Sequence, residues 1–194
     1  MKKVNLLLAV LLLTVSSTIG QHKETLNTTE YFDNVKLDGN VRLYLKQGSA
    51  PIVGVETRNE RNMDEYRIAI RNNTLYVQHR ARHGSAPKIE VYLTHPELKS
   101  IDMDGLVYAY SSDPVTSKSF SVKGDGLIRG EIEVDVQELN VDLDGLCSMS
   151  FYGKADETDL RLDGMGKINA RDLVTSEVKK SADGLAIIRV TNIN

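Results

Sequence analysis

The sequence predicts an all-β solenoid, and three observations carry the prediction. An Asp-Gly step recurs five times, with its glycines at Gly105, Gly126, Gly145, Gly164 and Gly184, spaced 21, 19, 19 and 20 residues apart. A fixed period near twenty residues marks stacked repeats, each forming one rung on the last. The positions around each glycine alternate between apolar and polar, the two-residue period of a strand with one buried face. After the first 20 residues no stretch shows the 3.6-residue period of an amphipathic helix.

The chain opens on Lys2 and Lys3, then an apolar run from Leu6 to Val15, then the small residues Thr18 and Gly20 before Gln21. The run is too short to span a bilayer comfortably. Basic start, short apolar centre and small residues at the cut are the marks of a secretory signal peptide over residues 1–20. No cysteine stands at the cut to take a lipid anchor. Removing Lys2 and Lys3 moves the net charge from −3 to −5. That leaves no basic surplus to neutralise phosphates and argues against a nucleic-acid partner. No second apolar run of membrane length follows.

Residues 21–30 are polar and read as a flexible lead, with a short glycosylation pattern at Asn27-Thr28-Thr29. From Phe32 the chain alternates. Val35 and Leu37, then Val41, Leu43 and Leu45, read as two strands joined at Asp38-Gly39, a tight-turn pair. Ile52, Val53 and Val55 begin another strand. Residues 58–66 are charged and fit a loop or one short helix. RIAIRNNTLYVQHR reads as a hairpin turning at Asn72-Asn73. Ile89, Val91 and Leu93 form a strand that ends at His95-Pro96.

From Leu98 the repeat takes over. Counting each glycine as zero, position −4 holds Ile101, Val122, Val141, Leu160 and Lys180. Position +2 holds Val107, Ile128, Cys147, Gly166 and Ala186. The even positions are apolar or small and should face a core; the odd positions should face water. Lys180 breaks the pattern in the last rung, as expected where a stack ends. One odd column disagrees. Position +1 holds Leu106, Leu127, Leu146, Met165 and Leu185. Either the glycine bends the chain so that parity slips, or an apolar stripe lies on the outer face. In the second case the stripe is an interaction site.

Val, Ile and Leu carry the apolar load, Trp is absent, Phe occurs three times and Tyr eight. This suits many narrow strands rather than packed helices. Cys147 is the only cysteine, so no internal disulfide forms. Its place inside a repeat makes it a small buried hydrophobe, since no basic, exposed setting surrounds it to activate a thiolate.

The run of segments FDNVKLDGNVRLYLKQG, RIAIRNNTLYVQHR and KIEVYLTHPELKSIDMDG, followed by the glycine-centred repeats, resembles the head domain (GIN) of auto-transporter adhesins, exported proteins found mainly in Bacteroidetes. The resemblance covers roughly residues 31–190. It implies a right-handed, single-stranded β-helix: residues 31–194 as the adhesin head domain, an N-terminal half of hairpin-like strands, and rungs from about residue 98. It also implies an adhesin role. The family's steps are usually Ser-Gly-Ser-Gly-like, whereas here they are Asp-Gly-Leu or Asp-Gly-Met-Gly, which adds charge and bulk. The repeats run nearly to Asn194, which leaves no room for a translocator barrel.

Candidate chemistry sits first in the Asp column: Asp104, Asp125, Asp144, Asp163 and Asp183. Stacked rungs would set these carboxylates about 4.8 Å apart, close enough to repel by roughly 1 kcal/mol per pair in water. Each Asp can offset this by accepting a hydrogen bond from its own turn. A Ca²⁺ ladder on the column is the alternative, because hard cations take several oxygen ligands; the nine-residue repeat of Ca²⁺ rolls is absent. No other cofactor is indicated.

A polysaccharide lyase or glycosidase would need paired carboxylates about 5–9.5 Å apart. Asp102, Asp104, Asp142 and Asp144, with Arg161 near them, supply carboxylates too freely for the spacing to be specific. His79 and His83 stand four apart, but not on a credible helix. Together with His22 and His95 they read as solvated loop histidines. Tyr44, Tyr76, Tyr92, Tyr108, Tyr110 and Tyr152 either line a sugar- or peptide-binding patch or simply suit half-buried strands.

The leading reading is an exported, non-catalytic adhesin-like domain, placed in the periplasm, on the outer-membrane surface or secreted, with a protein or glycan ligand. The alternatives are a carbohydrate-active enzyme using the carboxylate face, and a structural module that forms homo-oligomers through the leucine column.

Overall fold

The computed structural model of the protein describes residues 22–26, 30–80 and 86–191. The signal-peptide segment, the Asn27 pattern and His83 lie outside them. Among the described residues the fold is all-β with one short helix. Ten strands join in a single sheet system: β1 (His22–Leu26), β2 (Asn34–Gln47), β3 (Ile52–Thr57), β4 (Tyr66–Arg71), β5 (Thr74–His79), β6 (Ile89–His95), β7 (Ser100–Ser111), β8 (Val115–Ala170), β9 (Leu173–Ala182) and β10 (Leu185–Val190). The main path runs β1-β3-β6-β2-β7-β8-β10 and does not close on itself. The helix α1 (Glu60–Asp64) takes up the charged segment; the Asn59 side chain accepts from the Asn62 amide at 3.0 Å and caps its start.

β2 is the strand on which the rest is arranged. One edge pairs in parallel with β7 along its length, from Asn34↔Ser100 to Leu45↔Ser111. The other edge is shared: Asn34–Asp38 pair with β5, and Val41–Gln47 pair with β6. Asp38-Gly39 is therefore not the hairpin turn its dipeptide predicts. The strand runs straight through it, and Gly39 stands opposite Gly105. The expected hairpin at Asn72-Asn73 is present: β4 and β5 pair antiparallel, and both asparagines sit at positive φ, 49° and 57°, as a two-residue turn between twisted strands requires.

β7 to β10 carry the Asp-Gly steps. Gly105 stands in parallel register with Gly126, and Leu185 with Met165. A Cβ placed on Gly145 would meet the carbonyl of Gly126 at 2.6 Å, and one on Gly164 would meet that of Gly145 at 2.5 Å. The glycines thus form one close backbone column, which begins at Gly39.

The core follows the alternation. Ile101, Val122, Val141 and Leu160 are buried at −4, and Val107, Ile128 and Cys147 at +2. Phe32, Phe120 and Phe151, the chain's three phenylalanines, are fully buried. The pattern frays in the last step: residues 180–185 are all exposed, while Ala186, Ile188 and Val190 pack only partly against the core. At the other end, Tyr66 ties the β4–β5 hairpin to β2: its hydroxyl accepts from the Asn40 amide at 3.0 Å and donates to the Pro87 carbonyl at 2.8 Å. Burial pushes that phenol up to about 12.

Candidate functional site

The alternation of buried and exposed side chains passes through Gly105, Gly126 and Gly145 without slipping. Positions −2 and +2 of the Gly105 step, Met103 and Val107, are both buried, and so are Leu143 and Cys147 of the Gly145 step. The +1 column therefore lies on the outer face. Leu106 and Leu127 are half-buried, and Leu146, Met165 and Leu185 are 43, 51 and 72% exposed. Positive φ at the glycine, +91° at Gly145, bends the strand but leaves the faces unchanged. The result is an apolar stripe running up an otherwise polar strand face, more open toward the C-terminal end.

The carboxylates Asp104, Asp125, Asp144, Asp163 and Asp183 line up two positions before the stripe, and all are exposed. The column has a sixth member that the twenty-residue period hides: Asp38 stands opposite Asp104 across the β2–β7 pair. The signal was present in Leu37-Asp38-Gly39 followed by apolar Val41 and Leu43, which matches Leu143-Asp144-Gly145 followed by Cys147 and Met149.

The column feels its own charge. Partial burial, together with Asp38, Asp125 and Asp102, holds the Asp104 carboxyl above its ordinary pKa, while the Gly105 amide pulls the other way by donating a hydrogen bond. Asp183 accepts from the Gly184 amide at 2.7 Å. In both steps the offset comes from the turn's own backbone. Among the described residues no group of three or more His, Cys, Asp or Glu side chains is placed to hold a metal ion. Melting with millimolar Ca²⁺ and with a chelator tests the Ca²⁺ ladder: a rise with Ca²⁺ that the chelator reverses would place the ion on this column, and an unchanged melt would remove it.

Two of the groups considered for catalysis, Asp102 and Arg161, are drawn into ion pairs. Asp102 pairs with Lys36 at 2.9 Å, and Arg161 with Asp159 at 3.0 Å. Arg161, Asp159, Asp142 and Lys123 line an open groove of about 170 Å³. Asp104 and Asp144 stand on the glycine column instead. Cys147 is buried, with burial pushing its thiol up to about 11, the state of a core side chain rather than a nucleophile.

His79 is half-buried and lies 3.4 Å from Glu65. His95 corrects the reading of a solvated histidine. It takes the last inward position of β6, is 1% exposed, and among the described residues neither ring nitrogen has a hydrogen-bond partner.

Three of the tyrosines form a ladder across β6, β2 and β7. Tyr44 stacks on Tyr92 at 4.9 Å and on Tyr110 at 6.0 Å between ring centroids. Arg42 lies 5.4 Å over the Tyr108 ring. Stacking turns the Tyr44 ring faces toward neighbouring rings, not outward to a ligand.

An all-β chain whose Asp-Gly steps stand in parallel register, with an apolar stripe beside them, defines the class. The chain belongs to the family described as "Putative auto-transporter adhesin, head GIN domain", whose model matches residues 31–194. Among solved structures it is similar to a "putative adhesin" from Bacteroides fragilis, with 19% identity and a TM-score of 0.81, covering 88% of this chain and 80% of that one. It is also similar to a "putative adhesin" from Parabacteroides merdae, with 17% identity and a TM-score of 0.69 over 89% and 81%. A third structure, named a "putative lipid binding protein" from Parabacteroides distasonis, shares 14% identity and a TM-score of 0.60 over 91% and 98%. Identities this low establish the fold alone. No curated protein matches the chain. Among the described residues no helix is long and apolar enough to cross a membrane.

Proposed function

We propose that this chain is an exported, non-catalytic adhesin-like domain, built as a β-solenoid of Asp-Gly rungs, that meets its partner through the +1 stripe. It works at the cell surface or in the periplasm. The observation that carries the proposal is the outward facing of Leu146, Met165 and Leu185 beside the exposed carboxylates Asp144, Asp163 and Asp183. Contiguous apolar surface rimmed by polar groups marks an interaction site. Family membership supports the adhesin role. A protein partner suits the stripe better than a glycan. Sugar rings are commonly held against open aromatic faces, whereas Tyr44 here is stacked between two other tyrosines.

The test is a screen of the exported protein against extracellular-matrix proteins and glycans, run beside a Leu146→Lys/Met165→Lys variant. Both positions face outward, so the variant should melt like the parent. Capture of a matrix protein that the variant loses at least about 10-fold would support the stripe. Capture that the variant keeps in full would overturn it.

A further inference from the structure

The stripe is bordered by two columns of opposite character. Two positions before it stands a carboxylate at all six levels: Asp38, Asp104, Asp125, Asp144, Asp163 and Asp183. Two positions after it stand Arg42, Tyr108, Arg129, Ser148, Lys167 and Ile187, which include three cations and no carboxylate. Arg42 is engaged by the Tyr108 ring and lies 3.9 Å from Glu90. Arg129 and Lys167 are exposed and have no ion pair among the described residues. The acidic side is likewise not neutralised within the chain, since the charges of Asp38 and Asp125 help to hold Asp104 above its ordinary pKa.

We propose that the stripe binds a second copy of this chain, the two stripes meeting about a two-fold axis that runs along the stack. This inference rests on the stripe being a contact surface and names its partner. A two-fold in that direction exchanges left and right. Leucine then packs on leucine, and the acidic column of each copy faces the cation column of the other. Asp125 meets Arg129 of the second copy, and Asp163 meets Lys167 of the second copy. A two-fold laid across the stripe would instead set carboxylates against carboxylates, a juxtaposition that opposes association.

The last described rung is a poorer place for a second copy. Lys180 there occupies a position that is apolar in the four earlier steps, and continuing the stack would bury its ammonium group. Five stripe side chains at about 4.8 Å spacing extend about 19 Å. That is the small, transient class of interface, so association in the micromolar range is expected.

Sedimentation equilibrium of the exported protein from micromolar to near-millimolar concentration tests this. The expected result is a monomer–dimer equilibrium that weakens as salt is raised. Leu146→Asp with Met165→Asp should raise the dissociation constant at least about 10-fold without lowering the melting temperature. Arg129→Asp with Lys167→Asp sets carboxylates on both flanks at those two levels, and Asp125→Lys with Asp163→Lys sets cations on both flanks at the same two levels. Each variant alone should be monomeric, and their equimolar mixture should recover a heterodimer. A wild-type protein that stays monomeric throughout, or a dimer indifferent to both charge variants, overturns the proposal. If the protein is monomeric but stripe variants still lose a captured partner, the second copy falls and the contact surface stands. If stripe variants change neither association nor capture, both fall.

Discussion

Gly145→Val is expected to cost at least about 3 kcal/mol of stability, which lowers the melting temperature by on the order of 10 °C in a chain of this size. Two effects act together. Gly145 sits at φ +91°, a conformation that a β-branched residue avoids, and its Cβ would stand 2.6 Å from the carbonyl oxygen of Gly126. That oxygen is backbone in a parallel ladder, so it cannot step aside without breaking hydrogen bonds on both sides. Asn140→Ala, at an exposed strand position, should change stability by no more than about 0.5 kcal/mol. Thermal melts followed by circular dichroism give both numbers. A native-like melt for Gly145→Val would mean that the glycine column is not closely stacked.

Stability is also expected to fall by about 3 kcal/mol as pH drops from 6.5 to 4, through His95. Burial lowers its pKa from 6.5 to about 4. In the unfolded chain His95 takes up a proton near pH 6.5; in the folded chain it stays neutral until about pH 4. The unfolded state therefore binds more protons across that window, and stability is complete above it and lost as pH falls. The side chain continues the inward file of Ile89, Val91 and Leu93, and its register partner on β2 is Gln47, whose Oε1 is also buried without a hydrogen-bond partner among the described residues. Asp113 accepts from the Gln47 backbone amide at 3.4 Å. Urea unfolding at a series of pH values measures the slope. His95→Leu should flatten it, because the replacement titrates nowhere and removes the two unpartnered ring nitrogens. An unchanged slope in that variant would assign the acid sensitivity to the carboxylates instead.

What the sequence disclosed, and what it withheld, follows the range of the interactions involved. The buried −4 and +2 positions were legible because strand alternation is local. The stripe was legible as an anomaly but not as a surface. Leu146 would read the same whether the glycine before it reversed the faces or preserved them, and only the backbone decides. Asp38-Gly39 is the same dipeptide in a hairpin and in a stacked strand. Its register partner lies 66 residues away, at Asp104-Gly105, beyond any window of local pattern. His95 was masked by Pro96, which marks a strand end and invites the inference of solvent, although the residue just before it fills the last inward place. The tyrosine ladder needs the register of three strands from separate parts of the chain, which periodicity does not supply.

The central claim is that the Asp-Gly steps stack as successive rungs along one axis. The most direct measurement is the distance between spin labels at residues 102 and 181, placed as cysteines in a Cys147→Ala background. Both positions stand three residues before their glycines, four rungs apart. The account predicts a single narrow distribution centred near 19 Å, four spacings of about 4.8 Å. A broad distribution, or one centred beyond about 30 Å, would contradict it, because no parallel stack of four rungs reaches that far.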